Sequence, residues 1–132
     1  MDIVNSLRIK KMVGLFLIFV LTWASAGSAE RAGGTNNLSE TIQYLLGFVE
    51  TSACIFIRNH KAHTAAEAAA HMQRKYEHFK DKIQTPEDFI RLTATKSLMT
   101  GKLYYVRFKD GKKIPSEAWL LQALEDYRQK QK

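Results

Sequence analysis

Leu38-Ser-Glu-Thr-Ile-Gln-Tyr-Leu-Leu-Gly-Phe-Val-Glu-Thr-Ser-Ala-Cys-Ile-Phe-Ile-Arg58 decides the fold, because its second half reads two ways. Leu38, Ile42, Leu45, Val49, Ala53 and Phe56 recur at gaps of three and four, which is one face of a helix. Cys54-Ile-Phe-Ile57 taken alone has the composition of a strand. The unbroken period favours one long helix over 38–58. Asn37 with Glu40 gives it a capping-box variant at the start, and Asn59 is a left-handed residue at its end.

Upstream, Met12–Ala24 is an uncharged run behind Arg8, Lys10 and Lys11, followed by the small residues Ser25-Ala-Gly-Ser-Ala29. That order marks a cleavable signal peptide, with cuts after Ala26 or Ala29 both fitting. The run is too short for the ~20 apolar residues of a spanning helix, so no stable transmembrane segment is expected after cleavage. The expected organisation is a signal peptide at 1–29, a flexible tail at 30–37 and a single helical domain at 38–132.

Downstream, Thr64-Ala-Ala-Glu67 is a full capping box opening a helix over about 65–83, with Ala68, Met72, Tyr76, Phe79 and Ile83 as its core face. Thr85-Pro86-Glu-Asp88 starts a third helix, expected to run to about Leu98. Leu103–Phe108 is aromatic and β-branched, and Asp110-Gly111 turns it back into Lys112–Ile114. Ser116 is the expected cap of a last helix over about 117–130, burying Trp119, Leu120, Ala123, Leu124 and Tyr127. The expected fold is mainly α: a compact bundle of four helices with a small β-hairpin before the last helix.

Beyond Ala29 the chain carries 17 Lys+Arg against 12 Asp+Glu, a balance that favours anionic partners. No basic-aromatic motif for nucleic acid accompanies it. Cys54 is the only cysteine, so no internal disulfide forms, and its apolar neighbours predict burial. His63, Glu67 and His71 have metal-like spacing, but Arg74 stands on the same flank and repels a divalent cation, so a solvated face is expected there. Ser97 has no nucleophile elbow around it. No catalytic residue, metal ligand or cofactor is therefore assigned.

The third helix carries hydroxyls, Thr93 and Ser97, where carbon is expected. Buried hydroxyls need partners, and Arg58, Asn59 and His63 supply candidates. Arg58, Asn59, His63, Ser97, Thr100 and Tyr104 make up the candidate binding cluster, either a ligand pocket or a brace between loops.

Phe56-Ile-Arg-Asn59, His63, Glu67-Ala-Ala-x-His71-Met-x-x-Lys-Tyr76, Phe89-Ile90, Ser97-x-x-Thr-Gly101-x-x-Tyr104 and Ser116-x-x-Trp-Leu120 together resemble the YfeK-like family. The resemblance covers about residues 38 to 130. It implies a small exported protein in the periplasm of a Gram-negative bacterium and carries no known activity. One departure is His60, where a glycine-type turn residue is expected. The leading expectation is a non-enzymatic periplasmic binding or accessory module, its partner a periplasmic protein or an anionic envelope ligand. The alternative is a cell-envelope hydrolase with His63 as base and Ser97 or a metal-bound water as nucleophile. A third is envelope association through the basic surface.

Overall fold

A computed structural model describes the backbone of residues 29–132 and the side chains from Asn37 onward. The expected signal peptide lies outside the described residues. The compact unit is Asn36–Lys132.

Helix α1 spans Ala29–Thr51 and takes in the backbone of 30–37. The helix then stops, and the expected continuation to 58 is wrong. The Thr51 hydroxyl donates to the Gly47 carbonyl at 2.8 Å, and the Ser52 hydroxyl donates to Val49 at 2.7 Å. Side chains thus compete for carbonyls at the helix end. Ala53 follows in the left-handed region with φ 54° and turns the chain out of register. The β-branched and aromatic run behind it becomes strand β1, Ile55–Arg58.

Asn59 is left-handed as expected, but in a hairpin turn rather than at a helix end. It leads into β2, Lys61–His63, which pairs antiparallel with β1. Thr64 caps α2, Ala65–Phe79, with both halves of the capping box formed. A 3-10 turn at Lys80–Lys82 ends this segment close to the expected 83. Thr85 accepts from the Asp88 N–H and Pro86 opens α3, Pro86–Thr93, which is shorter than expected. β3, Tyr105–Arg107, and β4, Lys113–Pro115, pair in the region of the expected hairpin, with a shorter first strand and a second shifted by one residue, and α4 spans Ser116–Lys130. Ser116 does not cap it, because its hydroxyl makes no capping bond.

The architecture is four helices with a four-stranded antiparallel sheet of order β2-β1-β3-β4, in place of a lone hairpin. The extra pair comes from β1, which lies along β3 with Phe56 opposite Val106. Alternation sends Phe56, Arg58, Val106 and Ile114 to the helix side, and Ile55, Ile57, Tyr105, Arg107 and Lys113 to the other. The core lies between sheet and helices, centred on Ile42, Leu45, Phe89, Ile90, Leu120 and Leu124. Aromatic contacts clamp α1 to α4: Tyr44 stacks on Tyr127 at 4.2 Å, and Phe48 meets Trp119 at 4.8 Å. Cys54, expected buried, is half-buried against the edge of this core.

Candidate functional site

Because Arg58 follows Phe56 by two on β1, its side chain points toward the helices. Its Nη2 lies 3.3 Å from His63 Nδ1, and that nitrogen is 3.8 Å from the Glu67 carboxylate. Burial lowers the Arg58 pKa, and the charge of Arg74 pushes the same way. Lys75 is buried on α2, donates to the Lys96 carbonyl at 3.1 Å and lies 5.2 Å from the centre of the Tyr104 ring. Tyr104 Oη is 3.4 Å from His71 Nε2. Burial, with the charges of Arg58, Lys75 and Arg74, lowers His71 to about 4, so near neutral pH the ring is uncharged and shares a hydrogen bond with the tyrosine whose direction follows its tautomer.

Arg58, His71, Thr93, Tyr104 and Ser116 line a chamber of about 10 Å³ beneath the sheet. Two buried atoms on its lining residues, Arg58 Nε and Ser116 Oγ, have no hydrogen-bond partner. Thr93 is satisfied, donating to the Phe89 carbonyl at 2.7 Å. No carboxylate lines the chamber, and Glu67 is exposed on the far side of His63. A buried unpaired donor costs about 1–3 kcal/mol, more when charged. This small space is largely apolar, with Phe56, Ala68 and Met72 also lining it, and it holds no carboxylate to balance the charge of Arg58.

The rest of the candidate cluster forms a separate chain of bonds. Thr100 Oγ1 donates to Asn59 Oδ1 at 2.7 Å, and the Thr100 N–H donates to Ser97 Oγ at 3.3 Å. The structure thus joins Arg58 to His63, brings Arg58 and Tyr104 to one chamber, and links Asn59, Thr100 and Ser97 in a brace. No hydrogen bond connects His63 with Ser97 among the described residues. The same residues contain no group of three His, Cys, Asp or Glu arranged to hold a metal.

Sequence reasoning missed His71, Lys75 and Ser116. His71 was placed on a solvated face, yet it turns inward against Tyr104, at a ring separation of 5.9 Å. Its spacing of three from Ala68 and four from Lys75, both buried, is the available signal. Ser116 reads in the sequence as a helix cap, a role that hides its burial.

The outward side of the sheet offers a second feature. Ile57, His60, Lys102, Leu103, Tyr105 and Lys113 line an open groove of about 340 Å³. Lys113 lies 4.8 Å from the centre of the Tyr105 ring, and Lys102 Nζ is 3.0 Å from His60 Nε2.

The sequence profile of a family of unknown function (DUF5329) matches residues 36–128, which is the compact unit almost end to end. Among curated proteins, the "Uncharacterized protein YfeK" of Salmonella typhimurium (strain LT2) is 32% identical over 98 residues, covering 72% of this chain and 76% of its own. No solved structure is a significant match. The expected YfeK-like resemblance therefore stands, and the chain belongs to the DUF5329 family.

Proposed function

We propose that this chain is a non-enzymatic binding module of the periplasm, which takes an anionic group of its partner against Arg58. One observation carries the reading: Arg58 Nε and Ser116 Oγ are both buried and unpartnered, on two residues that line one chamber free of carboxylates. A cavity of about 10 Å³ suits a single acceptor atom, such as one oxygen of a carboxylate or phosphate. Such an oxygen satisfies both donors and offsets the positive charge of Arg58 and Lys75. The planar guanidinium fork favours oxyanions over other acceptors.

The hydrolase alternative finds less support, because its base and nucleophile are otherwise engaged. His63 Nδ1 faces Arg58 and Glu67, while Ser97 Oγ accepts from Thr100.

The Arg58 Nε–H resonance gives a direct test. Titration with acetate or inorganic phosphate is expected to shift it saturably, and Arg58→Lys is expected to abolish the associated thermal stabilisation. A resonance that stays put in both titrations, or equal stabilisation of parent and variant, overturns the proposal.

A further inference from the structure

Three of the four most exposed large apolar side chains among the described residues fall within positions 98–103: Leu98 at 61%, Met99 at 96% and Leu103 at 45%. Their loop is not slack. The Ser97 N–H donates to the Lys102 carbonyl at 3.0 Å, and Gly101 N–H donates to Ser97 at 2.9 Å. Lys96 and Leu103 form a β-bridge, and Thr100 ties the tip to Asn59. Gly101 makes the turn with φ 69°. A loose loop folds apolar side chains against its own body, whereas this one holds Leu98 and Met99 out in water. Exposed apolar groups on a braced loop indicate a contact surface.

The surrounding charge has one sign. No acid occurs between Asp88 and Asp110, a stretch with Arg91, Lys96, Lys102, Arg107 and Lys109, and none occurs between Glu50 and Glu67. Lys96 and Lys102 bracket the apolar pair in the chain, and Lys102 continues into the groove with His60 and Lys113. Lysines on flexible stems beside exposed leucine and methionine suit a headgroup layer, with the cations at phosphate level and the apolar tips in the acyl boundary. The pair is carried at the tip of a turn, a form suited to entering a surface.

We infer that the loop Lys96–Leu103 docks this protein onto an anionic lipid surface, with Leu98 and Met99 as the inserting tip and the neighbouring lysines as headgroup contacts. Docking is reversible, since two side chains and a few cations fall far short of a permanent anchor. The site is separate from the Arg58 chamber and does not depend on it.

The test places an environment-sensitive nitrobenzoxadiazole label at Met99→Cys in a Cys54→Ala background, with the same label at exposed Gln122→Cys on α4 as the comparison. Vesicles containing phosphatidylglycerol are expected to blue-shift and brighten the label at 99 and leave the label at 122 unchanged. Phosphatidylcholine vesicles are expected to do neither. Leu98→Asp, read as flotation with phosphatidylglycerol vesicles beside the parent in the same processed form, is expected to lower binding about tenfold. Arg58→Lys is expected to float like the parent, which separates this inference from the chamber reading. Equal shifts at 99 and 122, no shift at 99, or undiminished flotation of Leu98→Asp each overturn it.

Discussion

The first hairpin, β1–β2, turns through Asn59 and His60, which have φ of 47° and 67° and no glycine. The second, β3–β4, turns through Lys109–Gly111, with Gly111 at φ 87°. Its bonds are regular: Gly111 N–H donates to Phe108 at 2.9 Å, and Phe108 N–H donates to Lys112 at 2.9 Å. That is a tight turn with the permissive residue where it is needed. The first turn instead places histidine where glycine fits best. The strands differ in the same sense. Inward from β3–β4 come Val106 and Ile114, all hydrocarbon, whereas β1–β2 sends in Phe56 but also Arg58 and His63. The hairpin that carries polar side chains into the interior is also the one with local strain, as functional segments often are. The plainer hairpin supplies packing.

The largest way to test that contrast is Phe56→Ala. Phe56 is 2% exposed and meets Trp119 at 5.6 Å, so the loss is expected to be about 3–5 kcal/mol in urea unfolding. Val106→Ala, on the plainer hairpin, is expected to cost about 2 kcal/mol by the same measurement. A smaller loss at 56 than at 106 breaks the assignment of β1 as a central strand.

Gly111→Ala is next, at about 1 kcal/mol of destabilisation, because a Cβ at positive φ is strained even in open space.

The polar hairpin also predicts a pH dependence. His71 faces Arg58 from β1, His63 from β2, Lys75 and Arg74 from its own helix, and Tyr104. Its folded pKa of about 4 lies below the ordinary 6.5, so the unfolded chain takes up the proton first. The contribution is therefore complete above about 6.5 and declines as pH falls toward 4. After solvent screening it amounts to about 1 kcal/mol. His71→Gln is expected to flatten the slope of unfolding free energy between pH 7 and 4.5 relative to the parent. An unchanged slope rejects the inward placement of the ring.

The smallest effect is a gain. His60→Gly relieves the left-handed histidine and is expected to stabilise by about 0.5–1 kcal/mol, seen as a higher urea midpoint. A loss at 60 removes the contrast between the two turns.

Part of the site was legible in the sequence. Thr93 and Ser97 stood out as hydroxyls on an apolar face, and Asn59 was a natural partner for that region. The bond from Thr100 to Asn59 spans 41 positions and joins these segments. Arg58 and Tyr104 belong to the candidate cluster by their places at the turn after the opening stretch and on the element after the third helix, and the chamber brings them together. His71 and Ser116 escaped because a solvated helix face and a helix cap each explained them locally. Their burial depends on what lies across the sheet.

The sequence alone determined the features that close within four residues. The Thr64 box, the Thr85-Pro86 start and the Asp110-Gly111 turn each satisfy their own backbone groups, so local chemistry settles them. Only the tertiary structure decided the second half of the opening stretch. Cys54–Ile57 fits a helix by period and a strand by composition, and pairing with Tyr105–Arg107 fifty residues away selects the strand. Pairing at that distance is invisible to periodicity, because its hydrogen bonds belong to two segments and neither one contains the other's signal.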